Sequence, residues 1–188
     1  MLTKYNILDN LLSSEDLFEI KSSIEKNKGV AFTEHMGRLY TPFQVSNNIK
    51  EKLERVASEK YGKKLNLSEY VHATFASDYG QPRLVPHTDS NLTEFIIDYQ
   101  VESNIEWSIY LEGNRLILKD NQAIAFSGIN NIHWRPKRIF KEGEYLSMIY
   151  FHFAGDDLTQ KQDEKDPEFG QKQYKIMEDY YDQYLNSY

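Results

Sequence analysis

The chain has 188 residues, a length that suits one domain with a single hydrophobic core. It contains no cysteine, which excludes disulfides, iron–sulfur clusters, thiolate zinc sites and a cysteine nucleophile, so any metal must be held by His, Asp or Glu. Lys and Arg number 22 against 29 Asp and Glu, and the net charge of −7 argues against a nonspecific grip on nucleic-acid phosphates or anionic lipid.

No apolar run approaches the ~20 residues of a membrane-spanning helix. The opening MLTKYNILDNLL lacks the small-residue cleavage site of a signal peptide, so a cytoplasmic address is expected. Neither an internal repeat nor a Gly/Ser linker interrupts the chain. The expected organisation is one domain over 1–188, with helical support in 1–68, a β core in 69–154 and a helical extension in 155–188.

A first amphipathic helix is predicted from about Ser14 to Asn27. Ser13 or Ser14 can cap it, Glu15 and Asp16 suit its positive end, and Leu17, Ile20 and Ile24 recur at helical spacing. Val30 to Tyr40 reads as a strand and turn. A second helix is predicted from about Ser46 to Tyr61, with Ile49, Leu53, Val56 and Ala57 as its apolar stripe and Gly62 as its stop. Both stripes require a surface to bury them, and Leu53 and Val56 are expected inside.

From Tyr70 the period changes to two. Tyr70–Ser77, Glu94–Val101, Ile105–Leu111, Arg115–Leu118, Ala123–Phe126, Ile132–Arg135 and Leu146–Phe153 read as short strands separated by Gly, Pro and Asn turn signals. Seven short strands point to an antiparallel sandwich or barrel. A last helix, from roughly Glu168 to Leu185, carries Tyr174, Met177 and Tyr181 at helical spacing and is expected to pack on the outside of the β unit.

His87 and Asp89 stand two residues apart in V-P-H-T-D. On extended chain they point to the same side. His133 follows 44 residues after Asp89, beyond F-S-G, at the start of another predicted strand. Alone, H-x-D is more often a hydrogen-bonded loop histidine beside a capping carboxylate. Strand-like flanks, the single later histidine after a Gly turn and the helices-then-β order favour a metal site. Two neutral imidazoles and a carboxylate form the facial triad of non-haem Fe(II) oxygenases.

The run F-A-S-D-Y-G-Q-P-R-L-V-P-H-T-D, followed by a β meander and I-A-F-S-G-I-N-N-I-H-W-R, resembles the Fe(II)/2-oxoglutarate-dependent oxygenase superfamily. The likeness covers about Tyr70 to Phe153, and the closing F-S-G…H-W-R…Y-F-H-F looks like a group of small bacterial and phage-type members. The resemblance implies a mainly β fold with flanking helices: a double-stranded β-helix, jelly-roll and cupin-like. It implies Fe(II) on His87, Asp89 and His133, with no catalytic residue beyond these ligands. It also implies 2-oxoglutarate as cosubstrate, molecular oxygen, and hydroxylation of a small molecule or a peptide side chain. The retained Asp89 argues against a halogenase. Nucleic acid and membrane are not expected partners, and the oligomeric state is left open.

The chain departs from the superfamily pattern at one place. The cation that usually grips the far carboxylate of 2-oxoglutarate, two residues before a Ser or Thr on the last core strand, is replaced by Tyr145 before Ser147. Arg135 is the best substitute, because strand alternation aims it to the same side as His133 and a guanidinium can hold a carboxylate at two points. Tyr145 can add a hydroxyl to that carboxylate, and Tyr79, eight residues before His87, matches a position where relatives often place a cosubstrate hydrogen-bond donor. Arg115, Arg138 and Arg83 are weaker anchors. Trp134 is expected to point outward into packing, Trp107, Tyr110, His72 and His152 to be core or edge residues, His35 to be structural or to lie in an entry segment, and Asn91 to line the mouth. Two other readings compete. One is an Fe(II) oxygenase that does not use 2-oxoglutarate, and the other is a catalytically silent β-barrel binding module.

Overall fold

A computed structural model describes residues 5–34, 37–82, 84–89, 93–156 and 167–187 of the protein. In chain order the elements are β1 (Tyr5–Asp9), α1 (Ser14–Asn27), β2 (Phe32–Glu34), β3 (Arg38–Thr41), α2 (Asn47–Tyr61), β4 (Asn66–Ala76), β5 (Leu84–His87) and β6 (Phe95–Ser103). They continue with β7 (Ile109–Leu111), β8 (Asn114–Leu116), β9 (Gln122–Phe126), β10 (His133–Arg135), β11 (Tyr145–Ala154) and α3 (Pro167–Leu185). His35, Arg83 and Asn91 lie outside the described residues. Among the described residues, no helix is long and apolar enough to cross a membrane.

Among the described residues, the strands form two antiparallel sheets. The larger has seven strands in the order β1-β9-β6-β11-β4-β3-β2, and the smaller has four in the order β5-β10-β7-β8. This is the double-stranded β-helix architecture expected from the sequence. Helix α1 starts at a capping box: the Ser13 hydroxyl accepts the Asp16 N–H at 3.1 Å, and the Asp16 carboxylate accepts the Ser13 N–H at 3.0 Å. The β7–β8 hairpin closes through Glu112 and Gly113, both at positive φ, the conformation a tight two-residue turn demands.

Two apolar layers follow from the alternation of side chains. Ile20 and Ile24 of α1 and Ile49, Leu53 and Ala57 of α2 pack on Ile97, Tyr99, Ile149, Phe151 and Phe153 on the outer face of the large sheet. Leu53 is fully buried; Val56, expected beside it, is half-buried at the margin of the same cluster. Between the sheets lie Phe75, Ile96, Trp107, Leu111, Ile124, Phe126 and Met148.

Three features correct the sequence reading. The N-terminal segment contains a strand the sequence reading lacked, β1, which joins the large sheet with β2 and β3 of the expected Val30–Tyr40 strand and turn. The predicted strand Ile105–Leu111 is regular only over Ile109–Leu111, and β4 begins at Asn66. In α3, Tyr174 and Tyr181 are exposed, and the buried positions are Ile176 and Tyr184. Helix α3 covers the small sheet from outside: Tyr180 packs edge-on against Trp134, which is stacked on Tyr110.

Candidate metal centre

The site forms where β5 and β10 pair. His133 sits directly opposite His87 in the ladder, with ring centroids 4.2 Å apart. Asp89 lies two residues beyond His87, and its N–H donates to the Gly128 carbonyl at 2.9 Å. That contact needs glycine at 128, because a Cβ there would come within 2.4 Å of the Thr93 carbonyl oxygen. The short F-S-G turn therefore brings the distal histidine and the H-T-D segment together.

The three side chains offer ligand atoms that all lie within 4.8 Å of one another. His133 Nε2 is 3.5 Å from Asp89 Oδ2, and His87 Nε2 is 3.9 Å from Asp89 Oδ1. Two atoms bound at ~2.1 Å to one ion lie roughly 3.0–3.4 Å apart, so the spacing is close to that of a shared ion. Each imidazole is oriented through its other nitrogen. His87 Nδ1 lies 2.7 Å from the Val85 carbonyl oxygen and His133 Nδ1 lies 3.1 Å from that of Asn131. A carbonyl only accepts, so Nδ1 carries the proton and Nε2 presents a lone pair.

Electrostatics agree. Burial pushes His133 down to about 4, with His87 adding to the effect and Asp89 opposing it, so its ring is neutral at pH 7. Among the described residues, Asp89 Oδ2 is buried with no hydrogen-bond partner. A buried unpaired carboxylate oxygen is costly, and a divalent cation would satisfy it. On this test the residues fit a divalent metal.

A cavity of about 150 Å³ opens beside the triad. Arg135 reaches it from β10, as strand alternation with His133 predicts, and is 2 % exposed. Its guanidinium donates to the Trp107 carbonyl at 2.7 Å and approaches Met148 Sδ at 3.8 Å. Further polar lining comes from Arg38 and Tyr40 of β3, Asp98 of β6, and Tyr150 and His152 of β11. The Arg38 guanidinium lies 4.7 Å from the Tyr40 ring centroid and 5.9 Å from that of Tyr150. The Tyr150 hydroxyl is buried, with the Arg38 side chain as its neighbouring donor. Burial drives Asp98 up to about 7 against the pull of Arg135. His152 is held by Glu69 at 3.2 Å, and this carboxylate raises its pKa although burial works against the charge.

Tyr145 and Tyr79, expected at this site, are not part of it. Both line a different cavity, between α1 and the outer face of the large sheet, together with Ser147 and His72. The reason is alternation along β11. Met148 packs between the sheets and Tyr150 and His152 reach the site cavity, so Tyr145 and Ser147 face the helices. Arg115 and Arg138 border a surface hollow away from the triad, and Arg138 is paired with Glu144 at 3.2 Å. Trp134 points outward and Trp107 is core, as expected, but His152 lines the cavity.

Sequence reasoning missed Arg38, Asp98 and Tyr150. Two of them carried a signal. Asp98 is a lone acid inside the apolar run F-I-I-D-Y-Q-V, and a buried acid is rare without a task. Tyr150 shares period-two parity with Met148 and His152.

No protein-family model and no curated protein matches the sequence. Solved structures do match. An oxidoreductase of the 2OG-Fe(II) oxygenase family from Burkholderia pseudomallei aligns at TM-score 0.58 and 10% identity, covering 80% of this chain and 84% of that one. AviO1 from Streptomyces viridochromogenes Tue57 aligns at TM-score 0.64 and 8% identity, covering 83% and 91%. HygX from Streptomyces hygroscopicus, solved with nickel and 2-oxoglutarate bound, aligns at TM-score 0.57 and 9% identity, covering 89% and 90%. The chain therefore has the fold of the 2OG-Fe(II) oxygenases.

Proposed function

We propose that this protein is a non-haem Fe(II)- and 2-oxoglutarate-dependent oxygenase that hydroxylates a small molecule or a protein side chain. The observation that carries the reading is the convergence of two lone-pair-bearing Nε2 atoms and the unpartnered Asp89 Oδ2 beside a cavity that holds the buried Arg135. HygX, which shares the fold, binds a divalent metal and 2-oxoglutarate.

His87, Asp89 and His133 would hold Fe(II), which supplies the oxidising chemistry together with 2-oxoglutarate and molecular oxygen. The chain's own contribution is threefold. The Val85 and Asn131 carbonyls fix the tautomer of the neutral rings with the proton on Nδ1, so both Nε2 atoms face the site with their lone pairs. Leu84, Ile96 and Ile109 wall the cavity with apolar surface and exclude water. Arg135 neutralises the far carboxylate of the cosubstrate, and the buried Tyr150 hydroxyl donates to the same group, in the role the sequence assigned to Tyr145. The guanidinium stands beside Met148, on the inner face of the last strand, so it delivers from β10 the charge that relatives deliver from that strand.

Titration of 2-oxoglutarate into anaerobic Fe(II)-loaded protein, followed by the metal-to-ligand absorption band, tests this. Arg135→Leu should weaken 2-oxoglutarate binding at least about 30-fold, the equivalent of roughly 2 kcal/mol for truncating a buried charge partner, while Fe(II) binding stays nearly intact. Arg135→Lys should rescue only in part, because it cannot make the planar two-point contact. An unchanged titration in the Leu variant would move the anchor to Arg38. One observation favours a second reading, an Fe(II) oxygenase that does not use 2-oxoglutarate. The inner face of β11 presents Leu146, Met148, Tyr150 and His152, and no fixed cation. Absence of the band in wild-type protein would select that reading.

A further inference from the structure

Helix α3 belongs to no part of the metal centre, yet one of its side chains is bonded to the residue between two of the proposed ligands. Gln173 Nε2 donates to the Thr88 carbonyl at 2.8 Å and to Thr88 Oγ1 at 3.1 Å, and Gln173 Oε1 accepts the Thr88 N–H at 3.3 Å. Thr88 is 2 % exposed. Strand β5 ends at His87, so the Thr88 backbone lies past the end of the regular ladder. A carboxamide offers an acceptor and a donor side by side, so it can bond the N–H and the C=O of one residue as a facing peptide would, with a second N–H to spare. Gln173 thus pairs with Thr88 as a neighbouring strand would, and continues the sheet where the backbone ladder stops.

The neighbouring residue holds the other half of the site. Lys172 Nζ donates to the Ile129 carbonyl at 2.9 Å, in the turn that leads to His133. The two tethered segments are themselves joined by the Asp89 N–H to Gly128 carbonyl bond. Farther along the helix, Ile176 and Tyr184 are buried and Tyr180 packs on Trp134, which seats this face of α3 against the small sheet.

From this geometry we infer that Gln173 is a positioning residue for the metal centre. By clasping the Thr88 peptide it sets the angle between the His87 and Asp89 side chains, so α3 is part of the scaffold of the site and not only its cover. The inference rests on the reading of His87, Asp89 and His133 as metal ligands. The physical requirement is general: a site must be held to within about 0.5 Å by groups that are themselves locked, and a rotation of the Thr88 peptide would swing the two ligands apart.

The test uses full-length protein, free Co(II) as probe, and two readouts: the dissociation constant by calorimetry and the visible d–d spectrum. Gln173→Met keeps the length and packing of the side chain and removes all three bonds. It should weaken Co(II) binding by about 10- to 100-fold and change the spectrum, the effect typical of lost outer-shell support. Gln173→Glu keeps the acceptor for the Thr88 N–H but sets a carboxylate against the Thr88 carbonyl, and should be at least as weak. The control is Gln183→Met, which removes the α3 bond to the Gly113 carbonyl, away from the ligands, and should leave affinity and spectrum as in wild type. If Gln173→Met does not fold, Gln173→Asn, too short to reach Thr88, carries the same comparison. Wild-type affinity and spectrum in the Gln173 variants would overturn the inference. So would an equal loss in Gln183→Met, which would make helix docking in general the cause. Wild-type protein that takes up no Co(II) would overturn the metal reading itself, and the inference with it.

Discussion

Strands β6 and β11, at the centre of the seven-stranded sheet, run for 9 and 10 residues, whereas β5 and β10, which carry the histidines, run for 4 and 3. The long strands are locked by continuous ladders and by helices packed on their outer face. The short ones pair over only a few residues and are supplemented by single contacts: the Gly128 carbonyl, the Asn131 and Val85 carbonyls, and the Gln173 side chain. The large sheet contributes mass and burial. The small sheet contributes the geometry of the triad, beside the buried and unpartnered Asp89 Oδ2. The bulk of the packing and the metal ligands are thus carried by different sheets, and substitutions should separate them.

Asp89→Ala should have the largest effect. It removes the only charged ligand of the triad, so calorimetric uptake of Co(II) or Fe(II) should fall by more than about 100-fold, beyond the loss expected for an outer-shell change. Its carboxylate oxygen is buried and unpartnered, so melting of the metal-free variant should occur at or above the wild-type temperature. A large drop in melting temperature would show that the small sheet needs Asp89 for folding and would break the partition.

Leu53→Ala is the reciprocal experiment. Leu53 is fully buried between α2 and the large sheet, and such truncations cost about 2–5 kcal/mol. Chemical denaturation should show that loss, while Co(II) affinity measured on the folded protein stays within about twofold. A parallel loss of affinity would mean that the large sheet transmits its packing to the site.

Asp98 lies on the large sheet but faces the cavity, and its effect shows only as a pH dependence. Burial holds its carboxyl up to about 7, whereas in the unfolded chain it titrates near 3.8. Between those values the folded protein keeps a proton that the unfolded chain has released. This contribution to the stability of metal-free protein is therefore fully present below about 3.8 and is lost as pH rises through about 7. Asp98→Asn should remove one proton's worth of that slope and raise stability at pH 8, as read from denaturation at several pH values. An unchanged slope would place the titration elsewhere in the cavity.

Much of this molecule follows from local pattern. The capping box and apolar stripes define α1 and α2, because a cap and a 3.6-residue period are satisfied within a few neighbouring residues. Period two put His87 and Asp89 on one side, aimed His133 and Arg135 inward and turned Trp134 outward, since alternation is a property of the strand itself. Tertiary structure alone decided the rest. Strand β11 is apolar on both faces, so its sequence shows which residues share a face but not which face meets the cavity, and this is why Tyr145 and Tyr150 exchange roles. Aromatic residues occur around much of α3, so only docking on the small sheet selects Ile176 and Tyr184 over Tyr174 and Tyr181. Arg38 reaches the cavity, β1 finds β9 and Gln173 finds Thr88 through contacts between residues far apart in the chain, which no local spacing encodes.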